Sequence, residues 1–377
     1  MRLKLLFLSF FLLFPLSPIL AETEIIATND NLLPESQIFK VKVEKILEEQ
    51  IETKEDGFKS IKQDLLLKVT SGEFKNKEFT YTGISEFDVV AGNQYREGDN
   101  LIVQRVIYPD QSENIIIVDY NRENYLYLLL LLFIVVAIIV GRKKGLRSLL
   151  GLIASFLIIV KFILPQILNG ANPLIIALLG SSLILILIIY INEGFNKKSH
   201  ISILSVFITL SITLFLAVIF SALTKLTGLS NEEALFLVGK TKQAIDFKGL
   251  MLAGFLIGAV GVLDDVIVGQ VESVKQLISA NPDFTKKELF KSAYAIGNTH
   301  LGAIINTLFL TYTGASLPLL LLFTVKQEPF LTFSQTINNE IIAIEIVRTL
   351  IGSIGVALSL PITTFLAIYF LHNLKKK

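Results

Sequence analysis

The chain has 377 residues, 52% of them hydrophobic and 18% charged, with a mean hydropathy of +0.63, more apolar material than a water-soluble domain can hide. The absence of cysteine excludes disulfides, thiolate catalysis and cysteine metal sites, and the three histidines are far apart in sequence. The net charge of +1 conceals two halves of opposite sign: residues 22–123 carry 12 Lys/Arg against 21 Asp/Glu, and residues 124–377 carry 20 against 12. Two compartments are implied, and no concentrated basic face with interleaved aromatics speaks for a nucleic acid.

Residues 1–21 carry Arg2 and Lys4, an apolar run and then Ser17, Pro18 and Ala21. They read as an export signal, either cleaved or retained as an anchor, that sends the next segment outside. Residues 22–123 form an extracytoplasmic β-domain with strand-like runs at 38–46, 64–70, 78–82, 101–108 and 115–120. Several runs alternate apolar and polar residues, as half-buried strands do. Turn residues at Ser71-Gly72, Glu97-Gly98-Asp99 and Pro109-Asp110 separate them. Five short strands suggest a small barrel or sandwich of the OB-like type.

Residues 124–377 read as a polytopic α-helical membrane domain. Apolar runs fall at 126–140, 149–168, 174–191, 201–223, 250–271, 293–312 and 341–371, with a short one at 317–325. Between the fourth and fifth, Ser230 and Glu233 make a capping-box pattern, so residues 230–246 are expected as a helix at the outer interface. Basic loops at Arg142, Lys143, Lys144 and Arg147, at Lys197 and Lys198, and at Lys286, Lys287 and Lys291 point to the cytoplasm. The basic tail at residues 375–377 is cytoplasmic only if 317–325 is re-entrant or half-spanning, giving seven spans plus that segment. Eight full spans would put the tail outside.

The most patterned stretch is 254–272. On a helix of about 100° per residue, Gly254, Gly258, Gly261, Asp265, Gly269 and Glu272 lie within roughly 80° of one another, while Asp264 points off that arc. Glycines at this spacing let another helix approach, and an acid inside a span is a functional candidate by default. Asp265 is therefore expected to face neighbouring helices, as an ion, proton or substrate site or as one half of a structural pair, with Asp264 as an accessory. Glu272 is either part of that line or a solvated interfacial charge. In the next span Thr299, Asn306 and Thr313 recur on one side beside His300, as a polar path facing Asp265 or as ordinary interhelical hydrogen bonding. Arg348, Gly352 and Gly355 head a second small-residue stripe, and Glu345 stands one turn before Arg348, where the two can pair along their own helix.

Several of these motifs, in this order and spacing, resemble the YibE/F family of bacterial membrane proteins. They are Gly258-Ala259-Val260-Gly261-Val262-Leu263-Asp264-Asp265, Ile296-Gly297 with His300, Asn306-Thr307-Leu308, Tyr312-Thr313-Gly314-Ala315-Ser316-Leu317-Pro318, and Glu345-Ile346-Val347-Arg348-Thr349-Leu350. The resemblance implies a multi-pass protein of the bacterial plasma membrane, of a kind often described as transporters. It implies a family acid at Asp265, with an apolar residue usual at Asp264. Asn298 and Thr299 depart from the pattern, because many relatives resemble Arg-Asp there.

Two functions are carried forward: a transporter or permease for a small ion or solute, and a non-transporting scaffold or sensor whose outer domain binds a protein partner. Candidate binding residues are Asp264, Asp265, Glu272, Asn298, His300, Asn306, Thr307, Glu345 and Arg348; candidate helix-packing glycines are Gly254, Gly258, Gly261, Gly269, Gly352 and Gly355. No enzyme activity and no cofactor is expected, and metal binding is left open. The two acids are neighbours on one helix, not facing acids on two. No Gly-Lys-Ser/Thr phosphate loop occurs.

Overall fold

The computed structural model describes residues 35–53, 59–72, 74–85, 94–108, 112–230, 232–238, 245–326, 328 and 330–372. The expected export signal at 1–21, the start of the acidic domain and the basic tail lie outside the described residues. The chain divides into two compact units, Met1–Leu131 and Leu132–Lys377.

Among the described residues, the first unit holds five antiparallel strands: β1 Glu35–Thr53, β2 Lys59–Val69, β3 Glu78–Thr82, β4 Asn100–Ile107 and β5 Glu113–Tyr120. They are ordered β3-β2-β1-β4-β5. Irregularities in the β1–β2 register between Val43 and Lys45 and between Ile46 and Glu48 bend the long first strand. The two edge strands β3 and β5 approach each other, so the sheet curls toward a partly open barrel. Alternation decides what is inside: Leu65, Leu67 and Val69 of β2 pack on Val41, Val43, Leu101, Val103 and Ile115, all buried. Buried Gln63 is satisfied by exchanging hydrogen bonds with the Tyr95 backbone, at 3.1 Å to the carbonyl and 2.8 Å from the N–H. Lys77 and Arg105 lie over the rings of Phe74 and Phe79.

Helix α1, Glu123–Ile158, is broken at Arg142, whose backbone sits at φ 49° and ψ −128°. Residues eight apart in a straight helix are about 12 Å apart. Here a Cβ on Gly145 would fall on the carbonyl oxygen of Ala137, so the chain doubles back sharply at the basic cluster. Past the bend the helix runs through a widened turn, Ile159–Ile163, into α2, Leu164–Leu168. Pro165 supplies the reason: it cannot donate to the carbonyl four residues earlier, and the wide turn absorbs the lost bond.

The remaining helices are α3 Pro173–Glu193, α4 Lys197–Leu223, α5 Glu232–Leu237, α6 Phe247–Ala280, α7 Lys286–Ala315, α8 Leu317–Val325, α9 Phe333–Asn338 and α10 Glu340–His372. Their starts are capped as the sequence dictates: Asn172 before Pro173, Asn196 before α4, Asp246 before α6, and a Thr285–Glu288 capping box on α7. Within the outer helix expected over 230–246, Glu232–Leu237 is helical, residues 239–244 lie outside the described set, and the buried Ser230 hydroxyl has no hydrogen-bond partner among the described residues.

Among the described residues, five helical stretches are long and apolar enough to cross a membrane, or six if the pair α7 and α8, bent by 77°, forms one span. The first of these, Glu123–Leu168, contains the Arg142 reversal. This is a multi-pass membrane protein, with α6 and α10 at the centre of the bundle, each packed on α4 and α7 and on one another.

Candidate functional site

Helix α6 positions the site, and it does so by the face it withholds from packing. Leu256, Leu263, Ile267, Gln270, Val271 and Val274 point into the bundle and are buried. Gln270 ties three helices together: its amide donates to the Ala293 carbonyl of α7 at 2.9 Å and to Thr364 Oγ1 of α10 at 2.7 Å. Gly297 of α7 is small because Gln270 Oε1 and Leu360 occupy the space of a Cβ.

The glycine stripe faces the other way, which corrects the expectation that it packs a helix. Gly254, Gly261 and Gly269 have open space where a side chain would grow, and Asp265 on the same stripe is exposed. Gly258 alone of the four glycines has a neighbour there, the Tyr312 hydroxyl. Periodicity fixes which residues share a face; the bulk of the opposite face, rich in Leu, Ile and Val, decided that it went inside. On α10 the expectation fits: a Cβ on Gly352 would lie 3.3 Å from Leu308, and one on Gly355 would strike Thr213.

A cavity of about 250 Å³ opens beside the stripe, lined by Asp264, Asp265, Val268 and Gly269 of α6, by Ile189, Asn192 and Glu193 at the end of α3, and by Lys144, Arg147 and Ser148 just past the α1 reversal. Asp264 is the more enclosed of the two aspartates, and its Oδ1 is buried without a hydrogen-bond partner among the described residues. Neither aspartate has a salt bridge or hydrogen bond among the described residues, and neither Lys144 nor Arg147 pairs with them. Arg147 directs one N–H to the Asn192 carbonyl at 3.4 Å, which holds the basic wall against α3.

Lys198 closes one edge of this region. Its Nζ lies 2.5 Å from Glu272 Oε2 and 3.7 Å from Glu193 Oε2, so one ammonium bridges α6 and α3 from the first turn of α4. Glu272 also accepts from Gln276 at 2.7 Å. It is a paired charge at the rim and does not line the cavity.

The other candidates are elsewhere. Asn298, His300, Asn306 and Thr307 are exposed on α7, absent from the cavity lining, and Thr307 spends its hydroxyl on the Ala303 carbonyl at 2.9 Å. A polar path from them to Asp265 is not formed. Glu345 and Arg348 pair on α10 at 3.0 Å, and the guanidinium stands 5.1 Å over Phe255 and 6.0 Å over Tyr312. Glu345 and Tyr312 border a second, mostly apolar cavity of about 270 Å³ in the angle of α7 and α8. Sequence reasoning named Lys144, Arg147 and Lys198 only as indicators of sidedness and passed over Ser148, Asn192 and Glu193, whose role depends on the α1 reversal.

The family model described as YibE/F-like protein matches residues 129–373, which include every helix named above after the first turns of α1. No curated protein and no solved structure matches the chain. The helical bundle, the reversal and the acidic cavity all fall inside the matched segment, and the chain belongs to the YibE/F-like family.

Proposed function

We propose that the protein is a permease of the bacterial plasma membrane that moves a small ion or solute through the cavity at Asp264 and Asp265, binding and releasing it without chemical change. One observation carries this reading: two adjacent carboxylates, neither with a partner among the described residues, border a cavity at the basic-cluster end of an apolar bundle. Structural acids in such a setting are paired, as Glu272 and Glu345 are; an acid left open to a cavity is held for something that comes and goes. Asp264 shares this cavity with Lys144 and Arg147, so the site opens at the end of the bundle where the basic cluster lies.

In this reading α1 crosses twice and returns at the cytoplasmic basic cluster. The bundle then has seven crossings with α8 half-spanning, and the β-domain is extracytoplasmic. The test is flux into proteoliposomes of the purified protein, screened over protons, metal cations, small anions and small zwitterions. Flux that Asp264→Asn reduces more than tenfold at equal reconstitution supports the reading; absence of flux for every class defeats it.

A second reading, in which the β-domain binds a protein partner, draws on the apolar exposure of Ile38 at 69% and Val118 at 55%. Ile38 and Ile116 flank Gln104 across neighbouring strands, so the exposed residues form a row rather than isolated points. Loss of phenotype in Ile38→Ser/Val118→Ser with undiminished flux would favour it.

A further inference from the structure

The cavity has walls of opposite sign, and that combination of signs selects a class of ligand. The acids Asp264 and Asp265 come from α6 and the bases Lys144 and Arg147 from the far side of the α1 reversal; Glu193 of α3 is a third acid, held 3.7 Å from Lys198 Nζ, and Asn192 and Ser148 add neutral polar groups. Lys144, Arg147 and Asp265 are exposed, where a direct ion pair gains little, so the two signs stand apart as solvated walls that one ligand can bridge. Both aspartates lack a basic partner, while the neighbouring Lys198 does reach Glu272 and Glu193.

We infer that the cavity binds a small zwitterion, of the size and charge arrangement of a small amino acid, with its ammonium toward Asp264 and Asp265 and its carboxylate toward Lys144 and Arg147. This deepens the permease reading and rests on the same cavity. A lone cation satisfies the acids and leaves two bases facing it; a lone anion does the reverse. A molecule carrying both charges satisfies both walls at once. A ligand ammonium donates to Asp264 Oδ1, the buried oxygen that has no partner. The carboxylate accepts from the guanidinium of Arg147, which keeps N–H groups free beyond the one given to Asn192. Size agrees: about 250 Å³ is room for roughly eight waters, below the range of drug-sized pockets.

The test measures binding to the full chain in nanodiscs by calorimetry, apart from transport. The probes are glycine, alanine, serine and γ-aminobutyrate, with alanine amide as the cation-only control and propionate as the anion-only control. The expected result is saturable binding of at least one zwitterion, with the matching single-charge analogues at least tenfold weaker. Asp264→Asn lowers zwitterion affinity at least tenfold. The double variant Lys144→Gln/Arg147→Gln also lowers it at least tenfold but leaves the amide as well bound as before or better, an inversion that a merely unfolded variant does not produce. No binding of any zwitterion, or an amide that equals its parent in the unaltered protein, overturns the inference. Flux of the same probes into proteoliposomes separates the two proposals: zwitterion binding without flux defeats the permease and keeps the ligand class, and metal-cation flux without zwitterion binding does the opposite.

Discussion

Asp264 and Asp265 are chemically identical neighbours, and the fold gives them different surroundings. Asp265 sits on the open stripe, whereas Asp264 has an oxygen shut away from solvent with nothing to bond. The ordering expected from the glycine stripe is therefore reversed: Asp264→Asn is expected to cost more activity than Asp265→Asn, by at least threefold in a flux assay at matched expression. Equal losses would mean that enclosure does not distinguish them. The glycines divide in the same way. Gly355→Val drives a side chain into Thr213 and should destabilise the bundle by about 2 kcal/mol, read as a lowered melting temperature, while Gly261→Ala should change stability by less than about 0.5 kcal/mol. The i, i+3 pair of Glu345 and Arg348 was legible from spacing alone, because both partners lie on one helix. The basic wall of the cavity was not, because Lys144 and Arg147 meet Asp264 only through a reversal far from it in sequence.

At the level of elements, the reversal of α1 is the device on which the cavity depends. Arg142 takes a backbone conformation that suits glycine, with φ at 49°. Arg142→Gly should therefore stabilise the hairpin by about 1 kcal/mol, whereas Gly145→Val should disrupt it, since that side chain would occupy the place of the Ala137 carbonyl. Thermal melts of the two variants, run beside the parent, decide the matter, and a stabilised Gly145→Val would show that the reversal is not tight. The strands were far more readable than this turn. All five observed strands overlap the expected runs, because alternation of apolar and polar residues reports a half-buried sheet directly. No comparable signal marks a sharp bend between two apolar helices beyond the basic cluster itself.

For the whole molecule, the two units answer to different conditions. The Arg105 side chain bonds Glu113 on the sheet, with Nε at 2.9 Å from Oε2, and holds that carboxyl below its usual value. A carboxylate with a depressed folded pKa contributes stability above its unfolded value, near 4.5, and loses that contribution as pH falls through the folded value. The β-unit expressed alone should accordingly weaken in acid, and Arg105→Gln should flatten the acid limb of its melting curve. A curve unchanged by that substitution would remove the pair from the account.

The Lys198 bridge bears on how quickly the bundle can work. Any movement that widens the cavity by parting α3 from α6 must break a contact in which one ammonium holds a carboxylate from each helix. The bridge is a friction point that salt relaxes little, because partly buried charges in direct contact are screened far less than exposed charges standing a Debye length, about 8 Å, apart. On the permease reading, Lys198→Gln should therefore turn over faster than the parent in dilute and in concentrated buffer alike, and a variant no faster than the parent would remove the bridge from the account.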